Sequence, residues 1–520
     1  MTHILTKSML LSATQCHRRL WLEVRRPDLL QDEDGGAERR KREGIRVGEL
    51  ACAGTGPLII KPLDLASKAV SAERAKQQML SNPLASGIEV PMHFKGVYAR
   101  ADALLPDGAG GYALQETKAT TFPLKADKVT PGKPSLEHVT DLAIQAWVME
   151  NSGIPMSRAE LNLIDNRWKY PGAGDYRGLF RVLDVTAEVR EALVQVPGLV
   201  DSARATVSGS MPSVATGKQC KSPHGCPFFA YCQSLDPSRP AHPLELLPDA
   251  AGKALAAKLK CEKGYQSLLE PAAHEFTGAN APLYVRMQEA HRTGVPYLSE
   301  DSADALAPLP YPRHYFDFEG IDLAVPVWKG VRPYEQVTFQ WSCHIERAPG
   351  RFELAEFLDL SGQDPSVPCI EQMLTAIDPG SKSPIFVYFA TYERGRLQEL
   401  ATRHPQYAPA LQRYITRLVD LLPLVKEHFY HPLMKGSFSI KEVLPVIAPD
   451  LDYSRLTEVS DGVAAQLAYI KAALRKGQSA KEAVETETNA RIYCRQDTWA
   501  MVEVAYFLAQ NGRPLRPAGM

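Results

Sequence analysis

Val97-Tyr98-Ala99-Arg100-Ala101-Asp102-Ala103-Leu104-Leu105, Pro106-Asp107-Gly108-Ala109-Gly110-Gly111 and Tyr112-Ala113-Leu114-Gln115-Glu116-Thr117-Lys118 read as strand, glycine-rich turn and strand. The turn chemistry makes this a hairpin. Side chains alternate across a strand, so Leu114, Glu116 and Lys118 share one face. With Asp102 on the neighbouring strand they form a metal-site pattern. Asp102 and Glu116 would hold magnesium, and Lys118 would steady an attacking water and the charge growing on a phosphate. A Glu-x-Lys alone is common and is usually a surface ion pair; the order Asp, hairpin, Glu-x-Lys sharpens it.

Cysteines flank the hairpin on both sides. Cys220, Cys226 and Cys232 recur at six-residue steps in a run broken by Pro223, Gly225 and Pro227. Such a run cannot keep three thiols on one face of a helix, but a loop can fold them round a metal. Cys16, which precedes an amphipathic helical run, is the expected fourth partner, and would tie the start of the first domain to its end. Two metals compete for the site. Structural zinc usually takes tight pairs separated by about two to four residues. Here the gaps are wider and the fourth ligand lies roughly two hundred residues away, which suits an iron–sulfur cluster better. The plain alternative is buried cysteines acting as small apolar residues.

Asp102, Glu116 and Lys118 in this order resemble the PD-(D/E)xK nucleases. With Cys16 before them and the cysteine trio after them, they resemble the RecB-like iron–sulfur exonucleases, including those associated with CRISPR loci. The resemblance covers about residues 1–235. It implies a restriction-endonuclease-like fold in which Cys16, Cys220, Cys226 and Cys232 hold a [4Fe–4S] cluster. It also implies that the helix bearing Gln145, within Asp141 to Met149, packs beside the active centre. Where many relatives carry a metal-binding histidine on an N-terminal helix, the run Glu43 to Glu49 carries Gly48, leaving Glu43 or Glu49 as substitutes.

The bulk properties set the frame. A chain of 520 residues suggests roughly three domains at about 150 residues each. Hydrophobic residues at 45% and charged residues at 23% describe ordinary globular cores. No apolar run of about 18 residues is present, and Met1 to Leu11 lacks a secretory pattern. Nine cysteines in a chain of this size point to a reducing cytoplasm and not to a disulfide framework. The net charge is −1, so binding of nucleic acid must rest on local basic patches. Arg18-Arg19, Arg25-Arg26 and Arg39-Arg40-Lys41-Arg42 supply such patches, unless they are simply a solvated helix face. Residues 1 to about 90 read as helical.

Asp236 to Pro243 is a linker by composition, and Ala251 to Leu269 reads as a connecting helix without chemistry of its own. Ala307 to Pro312 is a second hinge. Beyond it, His314-Tyr315-Phe316-Asp317-Phe318-Glu319-Gly320 puts Asp317 and Glu319 on one face of a strand. Paired carboxylates repel, and two divalent ions about 4 Å apart would offset that repulsion and cleave a phosphodiester by in-line attack. Pro384 to Phe389 is a buried strand leading into a helix that carries Glu393. Leu418 to Leu421 holds one acid, Asp420, and Lys435 to Leu444 reads as turn then helix. Tyr493 precedes Asp497 by one helical turn, so the two share a face.

This order resembles the DEDD exonucleases of the RNase H-like fold. The resemblance implies that Asp317, Glu319, Glu393 and Asp497 bind two metals and that Tyr493 orients the attacking water. Glu393 departs from the family's usual Asp, and Phe389 stands where an Asn would be. Asp420 is an alternative ligand, or a strand-end capping acid.

The expected α/β architecture is a PD-(D/E)xK domain with an iron–sulfur staple (1–235), a linker and helical connector (236–306) and an RNase H-like domain (307–520). The resemblance to a bacterial family joining the two nucleases implies a double nuclease dependent on Mg2+ or Mn2+, acting on DNA, single-stranded or from ends. RNA processing, or a nucleic-acid-binding scaffold with one or both sites silent, are the alternatives.

Overall fold

The strand–turn–strand at 97–118 folds as a hairpin in the computed structural model, which describes residues 4–30, 35–53, 59–60, 67–235, 239–451, 462–474 and 480–512. The fold is mixed α/β, in two units: Met1–Pro237 with Leu323–Glu335, and Ser238–Asp322 with Gln336–Met520. The expected connector therefore lies in the second unit, while residues 236–238 of the expected linker lie outside the described residues. Among the described residues no helix is long and apolar enough to cross a membrane.

The sheet of the first unit contains β1 (Leu5–Thr6), β2 (Ile59–Ile60), β3 (Ser86–Phe94), β4 (Val97–Pro106), β5 (Tyr112–Thr121), β6 (Met156–Ile164) and β7 (Phe180–Asp184). Its order is β2-β3-β4-β5-β6-β7, with β1 parallel to the start of β4. The hairpin register pairs Ala103 with Gln115 and Pro106 with Tyr112. Its turn is fixed by Asp107, whose Oδ1 accepts from the amides of Ala109 at 2.7 Å and Gly111 at 2.9 Å. Short polar side chains that bond backbone just ahead are what turns require. The helix Leu136–Asn151 is buried along Leu142, Ala143, Ile144 and Val148, and covers one face of the sheet with Val90, Leu104 and Leu161.

Two expectations need correction. Residues 1 to about 90 are not wholly helical, because Ser86–Phe94 is a nine-residue strand antiparallel to β4. The expected helix over Ala251 to Leu269 spans Asp249–Lys263 and stops at Gly264. That glycine caps the helix with a left-handed φ of 73°, a conformation that costs glycine little.

In the second unit, β8 (Tyr297–Leu298) and β14 (Phe429–Tyr430) make a two-stranded ribbon. The main sheet has the order β11 (Arg351–Leu358), β10 (Gln336–Ala348), β9 (Arg313–Asp322), β12 (Ile385–Val387) and β13 (Leu418–Asp420). β9 is central, antiparallel to β10 and parallel to β12. Its side chains Tyr315, Phe316 and Phe318 are buried, so the strand reads as a nearly continuous apolar run into which Asp317 and Glu319 are set. The helix Ala480–Ala509 packs on β9 and β10, and carries Tyr493 and Asp497.

Candidate functional site

Each unit gathers its sequence-predicted acids. In the first, β4 supplies Asp102, β5 supplies Glu116 and Lys118, and the Leu136–Asn151 helix supplies Gln145. Lys118 Nζ donates to Glu116 Oε1 at 2.7 Å and to Asp141 Oδ2 at 2.7 Å. Gln145 Nε2 donates to Glu116 Oε2 at 2.8 Å and to Asp141 Oδ1 at 3.0 Å. Its Oε1 is buried without a hydrogen-bond partner among the described residues. Asp102 accepts from the Thr117 amide at 2.9 Å.

Three members of this cluster were missed by sequence reasoning. Asp141 sits one helical turn before Gln145 and is 2% exposed. Lys7, the first residue of the helix Lys7–Gln15, reaches Glu116 Oε1 at 3.0 Å and Asp141 Oδ1 at 3.0 Å. His138 lies close enough that burial and Lys118 hold its imidazole below its ordinary value. The Asp141–Gln145 spacing of four within a helical run was the one available signal; for Lys7 none existed.

The charges follow from these contacts. Burial, reinforced by Glu116, pushes the Asp102 carboxyl up to about 7. Burial would also push Asp141 up, but Lys118 and Lys7 outweigh it and hold that carboxyl at about 2. Burial lowers Lys118, yet Glu116 and Asp141 together keep its ammonium charged. Two lysines thus already compensate Glu116 and Asp141. At Gly48, an added Cβ would meet nothing within 4 Å, so packing does not require glycine there. Glu43 pairs with Arg39 at 3.2 Å, and Glu49 with Arg46 at 3.4 Å.

Cys16, Cys220, Cys226 and Cys232 line one cavity, with Arg18 and Arg19 on its wall. All four are free thiols. Cys16 ends the helix Lys7–Gln15 and starts the helix His17–Arg25. Gln15 Nε2 donates to the carbonyls of Gln219 and His224, both at 2.7 Å, and so fastens the cysteine loop to the first helix. The loop itself closes with the Cys226 amide on the Cys220 carbonyl at 2.8 Å. Burial raises the Cys226 thiol; burial also raises Cys232, opposed by a hydrogen bond from Arg18. Four soft sulfur donors round one cavity could hold a thiophilic metal or cluster.

In the second unit, ligand atoms of Asp317, Glu319 and Asp497 lie within 4.8 Å of one another. Burial and the neighbouring Asp497, Glu319 and Glu393 push the Asp317 carboxyl far above the ordinary range. Glu393 is 1% exposed. Its Oε2 has no hydrogen-bond partner among the described residues, and burial, with Asp420 beside it, raises it to about 8. Glu393 adjoins the three converging acids without being one of them. Tyr493 is hydrogen-bonded to Asp497, and burial and the surrounding acids keep its hydroxyl protonated. Asp420 is a cap: it accepts from the amides of Phe389 at 2.9 Å, Ala390 at 2.9 Å and Leu422 at 3.0 Å.

Residues 314–439 match the family model described as "Domain of unknown function (DUF2779)"; this region holds Asp317, Glu319, Glu393 and Asp420. The chain is similar to "Uncharacterized protein UU173" of Ureaplasma parvum serovar 3 (strain ATCC 700970), 26% identical over 231 residues that cover 40% of this chain and 32% of that protein. The chain thus spans about a third of the length of the curated relative it matches. A solved structure, "Crystal structure of SSO0001", aligns at 14% identity over 44% of this chain and 85% of that one, with a TM-score of 0.23.

Proposed function

We propose that the chain is a divalent-metal-dependent nuclease of two centres, a PD-(D/E)xK-type unit stapled by an iron–sulfur cluster and an RNase H-like unit of DEDD type, acting on DNA. The observation that carries this reading is the carboxylate set of the second unit. Three acids converge and a fourth, Glu393, is buried beside them with an unpartnered oxygen. Such a set is costly without cations and is offset by them. Asp317, Glu319, Glu393 and Asp497 would hold Mg2+ or Mn2+, which when bound lowers the pKa of its water and stabilises charge on phosphate. The chain's own part is to fix geometry. β9 sets two carboxylates on one face, and the Ala480–Ala509 helix brings the third. Tyr493, kept protonated and tied to Asp497, orients a water and does not remove its proton.

In the first unit, Asp102 and Glu116 would hold a cation, and Lys118, anchored by Glu116 and Asp141, would present its ammonium to the nucleophile or the phosphate. Cys16, Cys220, Cys226 and Cys232 fit a [4Fe–4S] cluster by donor type and number, and binding there would contribute to folding free energy. A second reading, in which the first unit grips a strand without cutting it, is favoured by the two lysines that already compensate its acids and by Gly48.

The test is Mg2+- or Mn2+-dependent degradation of end-labelled DNA and RNA by anaerobically purified protein, compared with Lys118→Ala, Asp317→Ala and the double variant. Two separable activities, each lost with one substitution, support the double nuclease. Loss with Asp317→Ala alone supports a silent first unit. Strand binding without cleavage by the parent overturns the reading.

A further inference from the structure

Lys7 takes no part in the chemistry proposed for the first unit, yet its ammonium is built into the pocket. It bridges two carboxylates, 3.0 Å from Glu116 Oε1 and 3.0 Å from Asp141 Oδ1. Its side chain is 22% exposed, against 4% for Glu116 and 3% for Asp141, so it stands on the solvent side of both. The backbone that carries it is pinned. Leu5 is buried and pairs with Val97 at the start of β4, and Thr6 caps the helix by accepting from the Met9 amide at 3.3 Å. An incidental surface ion pair needs neither hold.

The oxygens of the pocket are unequally engaged. Glu116 Oε1 accepts from both ammoniums, and Asp141 Oδ1 is shared by Lys7 and Gln145. Asp141 Oδ2 takes Lys118, and Glu116 Oε2 takes Gln145 alone. Asp102 accepts a hydrogen bond only from the Thr117 amide among the described residues. A carboxylate oxygen has two lone pairs, so Asp102 and Glu116 Oε2 keep capacity for a divalent ion. The gap between Glu116 and Asp141 already holds a cation.

Charge decides how many ions can enter. Two-ion hydrolysis of phosphodiesters places the ions about 3.5–4 Å apart, and an ion between Glu116 and Asp141 would be the second of such a pair. Lys7 fills that place with a single charge. The three carboxylates and one phosphodiester are balanced by Lys7, Lys118 and one divalent ion. A second divalent ion would leave two positive charges uncompensated in a buried pocket, which is costly.

We propose that Lys7 is the resident cation of a second metal position, between Glu116 and Asp141, and so limits the first unit to one divalent ion shared by Asp102 and Glu116. The proposal rests on the metal-centre reading of the first unit and adds the residue that sets its cation count. It also gives Asp141 a role beyond anchoring Lys118, as the ligand a second ion would use once Lys7 is removed.

The test uses the full chain, purified anaerobically, with Asp317→Ala and Asp497→Ala together so that ions of the second unit are not counted. Mn2+ bound at saturation is measured by equilibrium dialysis, and hydrogen exchange of β5 is followed with and without Mn2+. We expect this background to bind one Mn2+ that Asp102→Asn removes. Lys7→Met should bind two, and so should Lys7→Gln, which keeps a donor in case methionine disturbs folding. Lys7→Arg should keep the count at one. Lys7→Met combined with Asp141→Asn should return it to one, which loosening of the pocket by itself would not do. Mn2+ should restore the β5 protection of Lys7→Met to the level of the background, since an ion bound only by the folded state stabilises it. A count of one or none in both Lys7→Met and Lys7→Gln, or of two in the background, overturns the role of Lys7 and leaves the nuclease reading standing. A background with no Mn2+ that Asp102→Asn removes overturns the metal centre of the first unit and the proposal with it.

Discussion

Glu393→Gln gives the sharpest test of the second unit's electrostatics. In the folded protein this carboxyl keeps its proton up to about pH 8, whereas in the unfolded chain it releases it near its ordinary 4.5. Between those values the folded state binds the more protons, so stability falls as the pH rises. For one such group the slope is about 1.4 kcal/mol per pH unit, or about 3 kcal/mol between about pH 5 and pH 7. Glutamine has no proton to lose, so this component vanishes. Because two units need not unfold together, the assay is hydrogen exchange of peptides covering β9 and β12, which reports local opening energies. The parent should lose protection from about pH 5 to pH 7 and the variant should lose about 3 kcal/mol less. Saturating Mn2+ should flatten the parent's profile too, since a cation holds the carboxylates ionised. Parallel profiles for parent and variant without metal would refute the reasoning.

Other outcomes follow from the contacts. Asp420→Ala strips three backbone amides of a charged acceptor and should cost about 2–4 kcal/mol, seen as faster exchange around Phe389 and Leu422. Lys7→Met leaves Glu116 and Asp141 to Lys118 alone and should destabilise the first unit by about 2–4 kcal/mol, read by exchange in β5; an unchanged β5 would mean that Lys7 is not holding the pocket. Replacing Cys16 or Cys226 with Ser should remove iron and acid-labile sulfide from anaerobically purified protein and lower the melting temperature. Retained iron would place it elsewhere.

How much could be read beforehand depended on whether the controlling interaction was local. The hairpin was legible because Asp107 and the glycines that follow it write their turn within a few residues. The pair Asp317 and Glu319 was legible because strand alternation is local too, as was the Tyr493–Asp497 face on a helix. β3 carries an alternation, Ile88, Val90, Met92 and Phe94 with Glu89, Pro91 and His93 between them, and was overlooked because Pro91, which has no amide to give a ladder, argues against a strand. Lys7 and Asp141 were hidden because they meet across the fold. Asp420 could be read two ways, and only the amides in front of it decide for the cap. The early end of the helix at Lys263 was written in Gly264 and was overlooked.

The helix Lys7–Gln15 begins with a lysine in the acidic pocket of the first unit and ends on a glutamine that grips the cysteine loop, with Cys16 next in line. A single proteolytic nick within this segment would release Lys7 from the acidic pocket, while Cys16 stays on the long piece at the start of the helix His17–Arg25. A preparation clipped there would therefore behave as a Lys7 deletion in the first unit's acidic pocket, and the mass of the purified chain is worth knowing before any loss of function is assigned to a substitution.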